Sequence, residues 1–457
     1  MMPPSRSAAT PTRGHVLRIA LPLILSNLSV PLLGMVDTAV VGHMGEVYFL
    51  GAVAVGANVF SVLFLGLNFL RMATTGLASQ ALGAADGDRL RVLLAQGLLV
   101  ALACALVLWL AQVPLRELAM TALGVQDQVG DAARAYFDVR IWSAPFVLCN
   151  FVFAGWLVGL GSARAVLALT LAINVGNILL DVLFVYGFGW GLEGVAAATV
   201  LAECGGALVG SIAVAGALGR HRARHLSLRS VRTWREALEP ASLRRLLALN
   251  THLLIRTLAL QFVFVVLTGR GTRLGETVLA INAVLLTWQY AISYGLDGFA
   301  QAVESLVGRG LGARSPDAVR RAVRFGFEWA LGVAVLASAL VWCFGGVASD
   351  MLTDQVAVRE GVRRYLPWLA LSPLVSLWSF IYDGVFVGAT AARAMRNVMV
   401  LSAFAVFVPA MWLLAPWGNH GLWGAFTLFM LTRAVAMHVA YPRAVLAQLP
   451  EALTPKA

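Results

Sequence analysis

Three polar side chains lie inside a long apolar stretch of the sequence. Asn174, Asn177 and Asp181 occur in the segment NVGNILLDVLF, residues 174–184. Their spacing of i, i+3 and i+7 puts them on one face of a helix. An aspartate at the middle of a membrane costs about 2.5–3.5 kcal/mol. Facing a cavity, it can carry a proton or bind a cation together with amide oxygens. The alternative is a buried polar network that only fixes helix packing.

The composition indicates an integral membrane protein. Of 457 residues, 60% are hydrophobic and 12% are charged, whereas a soluble domain is about half apolar and about a quarter charged. The net charge of +11 comes from arginines in short loops, which is typical of membrane topology and not of a nucleic-acid partner. The four cysteines are isolated, so neither a disulfide nor a cysteine metal site is expected.

Apolar runs of about twenty residues are long enough to cross the hydrocarbon core of a bilayer. The first run, from Ile19 to Val41, ends without a small-residue cleavage pattern, so we interpret it as a retained span and not as a signal peptide. The predicted fold class is an all-α integral membrane protein with twelve transmembrane helices. The predicted spans lie near 16–41, 50–80, 90–112, 136–158, 165–187, 192–218, 246–268, 277–308, 322–345, 365–388, 395–415 and 420–442.

The distribution of arginines predicts the orientation. Loops on the side of the N-terminus carry most of them, including eight in the central segment 220–245. Because positively charged loops stay in the cytoplasm, we expect both termini and this segment to be cytoplasmic, in the inner membrane of a bacterium.

The two halves of the chain repeat. VGLGSARA at 158–165 corresponds to VGATAARA at 387–394, an offset of 229 residues, and GLEG at 191–194 corresponds to GLWG at 421–424 with one residue of slip. Six spans per half predict two lobes related by a pseudo-twofold axis along the membrane normal, as in many secondary transporters. The predicted organisation is a cytoplasmic tail (1–15), a first lobe (16–218), a basic linker (219–245), a second lobe (246–445) and a second cytoplasmic tail (446–457).

The offset shows where the lobes differ. Asp37 and the polar residues of the fifth span have apolar counterparts in the second half: Val265 or Val266, Ala403, Val406 and Ala410. The scaffold therefore does not need these polar groups, and they are candidates for a function of the first lobe alone.

The second lobe has acids of its own. Asp383 replaces Ala154 and Glu304 replaces Thr75, while Asp297 corresponds to Asn68. Asp297 and Glu304 share a helix face, and Arg256 in the seventh span is a candidate counter-ion for them. A role in substrate binding, a second relay and a structural salt bridge all remain open for these residues.

Signatures of enzymes are missing from the sequence. There is no H-E-x-x-H, G-x-S-x-G or phosphate-loop motif. An ATP-driven pump needs a nucleotide domain, and no soluble stretch is long enough for one. Energy must therefore come from an ion gradient or from the gradient of the substrate, and no cofactor is expected beyond a coupling ion, H⁺ or Na⁺.

Three segments carry a family resemblance. LPLILSNLSVPLLGMVDTAVVGHMG at 21–45, LRMATTGLASQALGA at 70–84 and YGLDGFAQAVESLVGRGLGA at 294–313 resemble the multidrug and toxic compound extrusion (MATE) family, in its DNA-damage-inducible protein F branch. The resemblance covers about residues 14 to 445. It implies two six-helix lobes around a V-shaped cleft, and export by cation-coupled antiport.

The resemblance also implies roles for single residues. The family's first-helix aspartate falls on Asp37, and the proline that helps to bend this helix falls on Pro22. The fifth-helix asparagine and aspartate fall on Asn177 and Asp181. Thr199 and Tyr136 match the sixth-helix threonine and a fourth-helix tyrosine. A sodium ion, if it is the coupling ion, is then expected at Asp37, Asn177, Asp181 and Thr199.

One feature of a sister branch is not matched. That branch has a seventh-helix glutamate in a second-lobe cation site, and the corresponding residue here is about Leu258, with Arg256 nearby. Asp383 does resemble that branch's tenth-helix aspartate. We therefore do not expect a complete cation site of this kind in the second lobe.

The sequence thus predicts a monomeric secondary transporter in the lipid bilayer that exports small drug-like compounds, amphipathic cations in particular, in exchange for protons or sodium ions. A flippase for lipids or lipid-linked oligosaccharides is the alternative, and it requires a large cationic cavity for pyrophosphate. A multispan membrane enzyme is a further alternative, and it requires paired catalytic groups near one interface, which are not apparent.

Overall fold

The computed structural model describes residues 10–44, 47–220 and 230–450. Most of the predicted N-terminal tail (1–9), the middle of the predicted linker (221–229) and the end of the predicted C-terminal tail (451–457) lie outside the described residues.

The described residues form helices and no strands. Within the described ranges, twelve helical stretches are long and apolar enough to cross a membrane, which confirms the predicted all-α membrane fold. Short 3₁₀ or π turns interrupt or follow some of them, at 141–143, 183–187, 401–407, 415–417 and 446–448. The α-helices are α1 (Arg13–Gly42), α2 (Val47–Leu67), α3 (Phe69–Gly83), α4 (Gly87–Leu110), α5 (Gln112–Leu123), α6 (Asp127–Arg140), α7 (Ala144–Gly159), α8 (Ala163–Val182), α9 (Gly191–Arg220), α10 (Val231–Ala237), α11 (Pro240–Arg273), α12 (Glu276–Gly312), α13 (Pro316–Asp350), α14 (Val356–Gly388), α15 (Ala392–Val400), α16 (Val408–Leu413) and α17 (Gly418–Ala444).

Two of these helices fall where the sequence predicted connecting segments. α5 follows the third span, and α10 lies in the predicted linker. Thr233 and Ala237 of α10 are fully buried, and the side-chain amide of Gln96 on α4 donates to the carbonyl oxygen of Ala237 over 3.2 Å. The end of the linker is therefore packed against α4, because its few small and apolar side chains lie on one face.

The backbone repeats with the offset found in the sequence. Among the described residues, three pairs with positive φ are 229 positions apart and lie at equivalent helix boundaries: Ala85 and Arg314 (φ 55° and 52°), Gly161 and Thr390 (60° and 52°), and Gly189 and Gly418 (68° and 57°). Non-glycine residues rarely adopt this conformation. The chain therefore turns at the same places in both halves, even where the residue type differs.

Helix starts repeat as well. Asp86 caps α4 by accepting from the backbone N–H of Arg89 over 2.8 Å. Ser315, 229 positions later, caps α13 by accepting from the N–H of Ala318 over 3.3 Å. Short polar side chains at this position satisfy backbone donors that have no partner inside the helix.

Glycine permits close helix crossings at equivalent positions of the two halves. A Cβ atom at Gly155 of α7 would lie 2.3 Å from the carbonyl oxygen of Arg71 on α3. A Cβ atom at Gly384 of α14 would lie 2.1 Å from the carbonyl oxygen of Ala300 on α12. Small residues at such crossings let two helix backbones approach in a membrane protein.

The chain forms two compact units. One contains residues 25–81 and 86–247, and the other contains the residues up to Ile24, residues 82–85 and the chain from Ala248 on. The units differ from the predicted lobes mainly in α1, whose first part belongs to the second unit. The core of the second unit is aromatic and aliphatic, and it includes Val263, Leu285, Phe407, Trp423 and Phe429.

The glycine crossings yield a prediction about stability. Gly155→Ala and Gly384→Ala should each lower the free energy of unfolding by roughly 1–3 kcal/mol, because the added methyl group overpacks a backbone contact. Gly295→Ala on α12 is the matched control, since a Cβ there meets nothing within 4 Å, and it should be neutral or stabilising by up to about 1 kcal/mol. Thermal unfolding in detergent measures all three, and equal midpoints would contradict the crossing argument.

Candidate functional site

Two carboxyl groups from distant parts of the sequence meet in the first unit. Asp37 lies on α1, and Asp181, which is 0% exposed, lies near the end of α8. The two side chains are within hydrogen-bonding range of each other. Ionised carboxylates have acceptors and no donors, so this contact requires a proton on one of them or a cation between them.

The surroundings of this carboxyl pair add acceptors and few donors. Asn177 is 0% exposed and lies one turn before Asp181 on α8. Its amide nitrogen is 3.4 Å from the hydroxyl of Thr199 on α9, and that hydroxyl donates to the carbonyl of Val195 over 3.0 Å. Among the described residues no donor reaches four buried oxygens: Asp37 Oδ1, Asn177 Oδ1, Asp181 Oδ1 and Asp181 Oδ2.

This excess of acceptors defines what the site can bind. A buried polar atom without a partner is costly. A proton on a carboxyl group turns one acceptor into a donor, whereas a sodium ion is held directly by carboxylate, amide and hydroxyl oxygens. The arrangement can therefore take up either ion, and both choices lower the negative charge of the pair.

A positive charge lies near the carboxyl pair. Arg140, at the end of α6, is within electrostatic range of Asp37 and Asp181. Its Nη1 donates to Ser143 Oγ over 2.8 Å, and its guanidinium lies 5.5 Å from the ring centre of Phe60. The buried Tyr136, which lies one turn earlier on α6, is within hydrogen-bonding range of Arg140. The fourth-helix tyrosine is thus next to the arginine, close to the carboxyl pair.

A third carboxyl group was missed by the sequence analysis. Glu203 lies one turn after Thr199 on α9 and is also within electrostatic range of Arg140. Asn150 on α7 donates to its carboxylate Oε2 over 2.8 Å and to its backbone carbonyl over 3.0 Å. An acidic residue inside a predicted span was the available signal, and its spacing of four residues from Thr199 places both on one helix face.

Asn174 has a hydrogen-bond partner outside the carboxyl pair. Its amide donates to the hydroxyl of Ser29 on α1 over 2.8 Å. One turn earlier, the hydroxyl of Ser26 donates to the hydroxyl of Thr170 over 2.7 Å. These bonds form a separate polar seam between α1 and α8, as expected of a group that fixes helix packing.

Pro22 lies within α1, which continues as one helix from Arg13 to Gly42. Proline removes an intrahelical hydrogen bond, so the helix is weakened at Pro22 and again at Pro31. Pro22 is fifteen residues before Asp37, about 22 Å along the axis of a straight helix, and belongs to the second unit.

Three acidic residues of the second unit lie on α12 and α14. Asp297 accepts from the side chain of Gln301, one turn later on α12, over 2.6 Å. Glu304 is 3% exposed on the same helix. Asp383 on α14 is paired with Arg256 and with Arg433 of α17. Arg256 is thus paired with an acid that the sequence analysis had not assigned to it, because helix packing brings α11 and α17 to Asp383.

Known proteins resemble this chain in family, sequence and fold. The MatE family model matches residues 22–183 and 253–413. The DNA damage-inducible protein F of Escherichia coli (strain K12) is 40% identical over 427 residues, which cover 93% of this chain and 91% of that protein.

More distant similarity extends over the whole fold. A probable multidrug resistance protein NorM of Xanthomonas axonopodis pv. citri (strain 306) is 24% identical over 448 residues, which cover 93% of this chain and 92% of that protein. The crystal structure of the Vibrio cholerae MATE transporter VcmN in the bent form superposes with a TM-score of 0.83 at 20% identity, over 95% of this chain and 97% of that one.

Proposed function

Because the chain belongs to the MatE family, we propose that it exports small drug-like organic compounds across the membrane in exchange for protons or sodium ions. Membership confirms the resemblance predicted from the first-span and loop segments. It also confirms that the protein is a transporter and not an enzyme. Beyond family membership, we propose the coupling ion and the class of substrate.

The observation that carries this proposal is the set of four buried oxygens without a donor around Asp37 and Asp181. The second half of the chain builds the matching helix with Ala403, Val406 and Ala410 instead, so the fold does not require this polarity. Buried oxygens without a donor cost free energy while the site is empty, and a bound proton or monovalent cation removes that cost. Such a site is suited to ion coupling.

The geometry supports a simple switch. When both carboxyl groups are ionised, Asp37 on α1 and Asp181 on α8 repel each other and favour a hydrated pocket with Asn177 and Thr199. When a proton is shared between them, they attract, and α1 can repack against α8 or bend near Pro22. Ion and drug then favour different conformations of the first helix, and this difference is the requirement for antiport.

Arg140 sets the charge balance of the switch. Three carboxyl groups, those of Asp37, Asp181 and Glu203, are within electrostatic range of this single guanidinium. One fixed positive charge offsets one carboxylate. The remaining negative charge is the part that exchanges with protons or sodium ions, and Glu203 belongs to the same network.

The setting of the proposal is the inner membrane of a bacterium. The transporter works as a monomer, with both termini in the cytoplasm and without a cofactor or nucleic acid. Single cysteines introduced at Gln126 and Ser230 of a cysteine-free variant should be labelled from outside and from inside intact cells, respectively. Labelling of both from outside would contradict the orientation.

The carboxyl pair gives the central prediction. Asp37→Asn and Asp181→Asn should each reach the membrane at normal levels and lose export driven by an imposed pH or sodium gradient. The double variant should be no worse than either single one, because both residues act on one switch. Efflux of a fluorescent organic cation from proteoliposomes measures this.

The control for this experiment lies at the matching position of the second half. Ala410→Asn introduces an amide at a site where the residue is 5% exposed, and it should leave gradient-driven export in place. Wild-type efflux by both aspartate variants would refute the switch and leave Asp181 with a packing role.

Glu203 allows a separate test of the network. Glu203→Gln should retain the contact with Asn150 and lower the rate of gradient-driven export by roughly tenfold, because the charge balance around Arg140 changes. Glu193→Gln removes an exposed carboxyl group from the first turn of the same helix and should have no effect. Equal rates for the two variants would exclude Glu203 from the coupling network.

A further inference from the structure

A second ionic cluster is buried in the other unit, and its charge is opposite to that of the carboxyl network. Asp383 Oδ2 accepts from Arg433 Nη2 over 2.7 Å and from Arg256 Nη2. The side chains of Arg433, Arg256 and Asp383 are only 4%, 11% and 12% exposed. Three helices, α11, α14 and α17, each contribute one member.

The cluster carries one positive charge in excess. Two guanidinium groups share one carboxylate, and both remain ionised in proteins. Asp383 and Arg256 are the charged groups that act on Arg433, one with opposite charge and one with like charge. An uncompensated charge in an apolar interior is disfavoured unless an opposite charge joins it.

The hydrogen-bond inventory shows the same imbalance. Within the described part of the chain, two donors, Nε of Arg256 and Nε of Arg433, have no acceptor, and one acceptor, Asp383 Oδ1, has no donor. Arg433 Nη1 has only the sulfur of Met430, 3.3 Å away, and its guanidinium carbon is 5.5 Å from the ring centre of Phe429. Thioether sulfur is a weak acceptor. Donors are therefore in excess here, whereas acceptors are in excess around Asp37 and Asp181.

The internal repeat relates the two clusters. The one-residue slip that aligns GLEG at 191–194 with GLWG at 421–424 also aligns Glu203 with Arg433. The same position of the repeat thus carries a negative charge in one half and a positive charge in the other, on helices that begin alike.

From this geometry we infer that Arg256 and Arg433 form a binding site for a small monovalent anion, with chloride as the simplest ligand. Two guanidinium groups repel a cation, which excludes a second copy of the cation site. The low exposure of all three side chains limits the ligand to a small ion. Asp383 holds the two arginines together and competes with the bound anion for their N–H groups.

Chloride binding can be measured on the purified protein without a drug or a gradient. Absence of chloride binding can therefore be distinguished from absence of the proposed transport function. The thermal unfolding midpoint should rise and saturate as chloride replaces gluconate at constant ionic strength and constant sodium concentration, because a ligand that binds only the folded state stabilises it. Bromide should substitute for chloride. A flat titration of the unaltered protein would overturn the inference.

Two variants should change this titration in opposite directions. Arg256→Gln leaves Arg433 and Asp383 as a neutral pair, so it should fold and lose the chloride effect. Asp383→Asn removes the competing carboxylate, so it should lower the half-saturating chloride concentration by about tenfold, which corresponds to about 1.4 kcal/mol. A cluster with a purely structural role would give no gain in chloride affinity in the second variant.

Controls keep the test decisive. Arg273→Gln removes an exposed charge from the same helix as Arg256 and should leave the chloride titration unchanged. Arg256→Lys retains the positive charge and should keep a saturable chloride effect, even if Asp383→Asn fails to fold. A chloride effect of equal size in Arg256→Gln and in the unaltered protein would place chloride elsewhere and refute the site.

Discussion

The contact between the carboxyl groups of Asp37 and Asp181 is the interaction on which the first unit depends. A charge in an apolar interior needs an opposite charge or a hydrogen-bond donor beside it. Two ionised carboxylates supply neither to each other. Every nearby polar group can be understood from this constraint. Arg140 supplies a fixed positive charge, Tyr136 lies next to that arginine, and the amide of Asn177 is 3.4 Å from the hydroxyl of Thr199.

The same constraint explains why one scaffold has two kinds of interior. Both halves turn at left-handed residues that are 229 positions apart, and both begin equivalent helices with a side-chain cap. The backbone is therefore repeated, but the buried charge is not. Around Arg140 carboxyl groups are in excess, and around Asp383 guanidinium groups are in excess. Because charges of either sign are costly in lipid, each cluster is confined to helix faces that pack against other helices.

Close packing fixes the positions of these helix faces. At Gly155 and Gly384 one helix backbone touches the carbonyl oxygen of another, so the crossing helices have little freedom to shift. Polar contacts such as that between Asn174 and Ser29 add a fixed register between α1 and α8. The two parts of α1 belong to different compact units.

The sequence by itself determined the features that depend on local composition and on repetition. Apolar runs gave the number of spans, since about twenty apolar residues are needed to cross a bilayer. The 229-residue offset identified Asp37 and Asp181 as unnecessary to the scaffold, and the helical period placed Asn177 on the face of Asp181. The family followed from the ordered segments at 21–45, 70–84 and 294–313.

Only the tertiary structure decided which side chains meet. Asp37 and Asp181 are 144 residues apart, and no periodicity relates one helix to another. Packing between helices pairs Arg256 and the buried Arg433 with Asp383. It also brings Glu203 near Arg140, and Asn174 into hydrogen-bond contact with Ser29. The reason is physical: pattern along a chain reports which face of a helix is polar, whereas the pairing of charges depends on distances between helices, which are set by the close contacts of the whole fold.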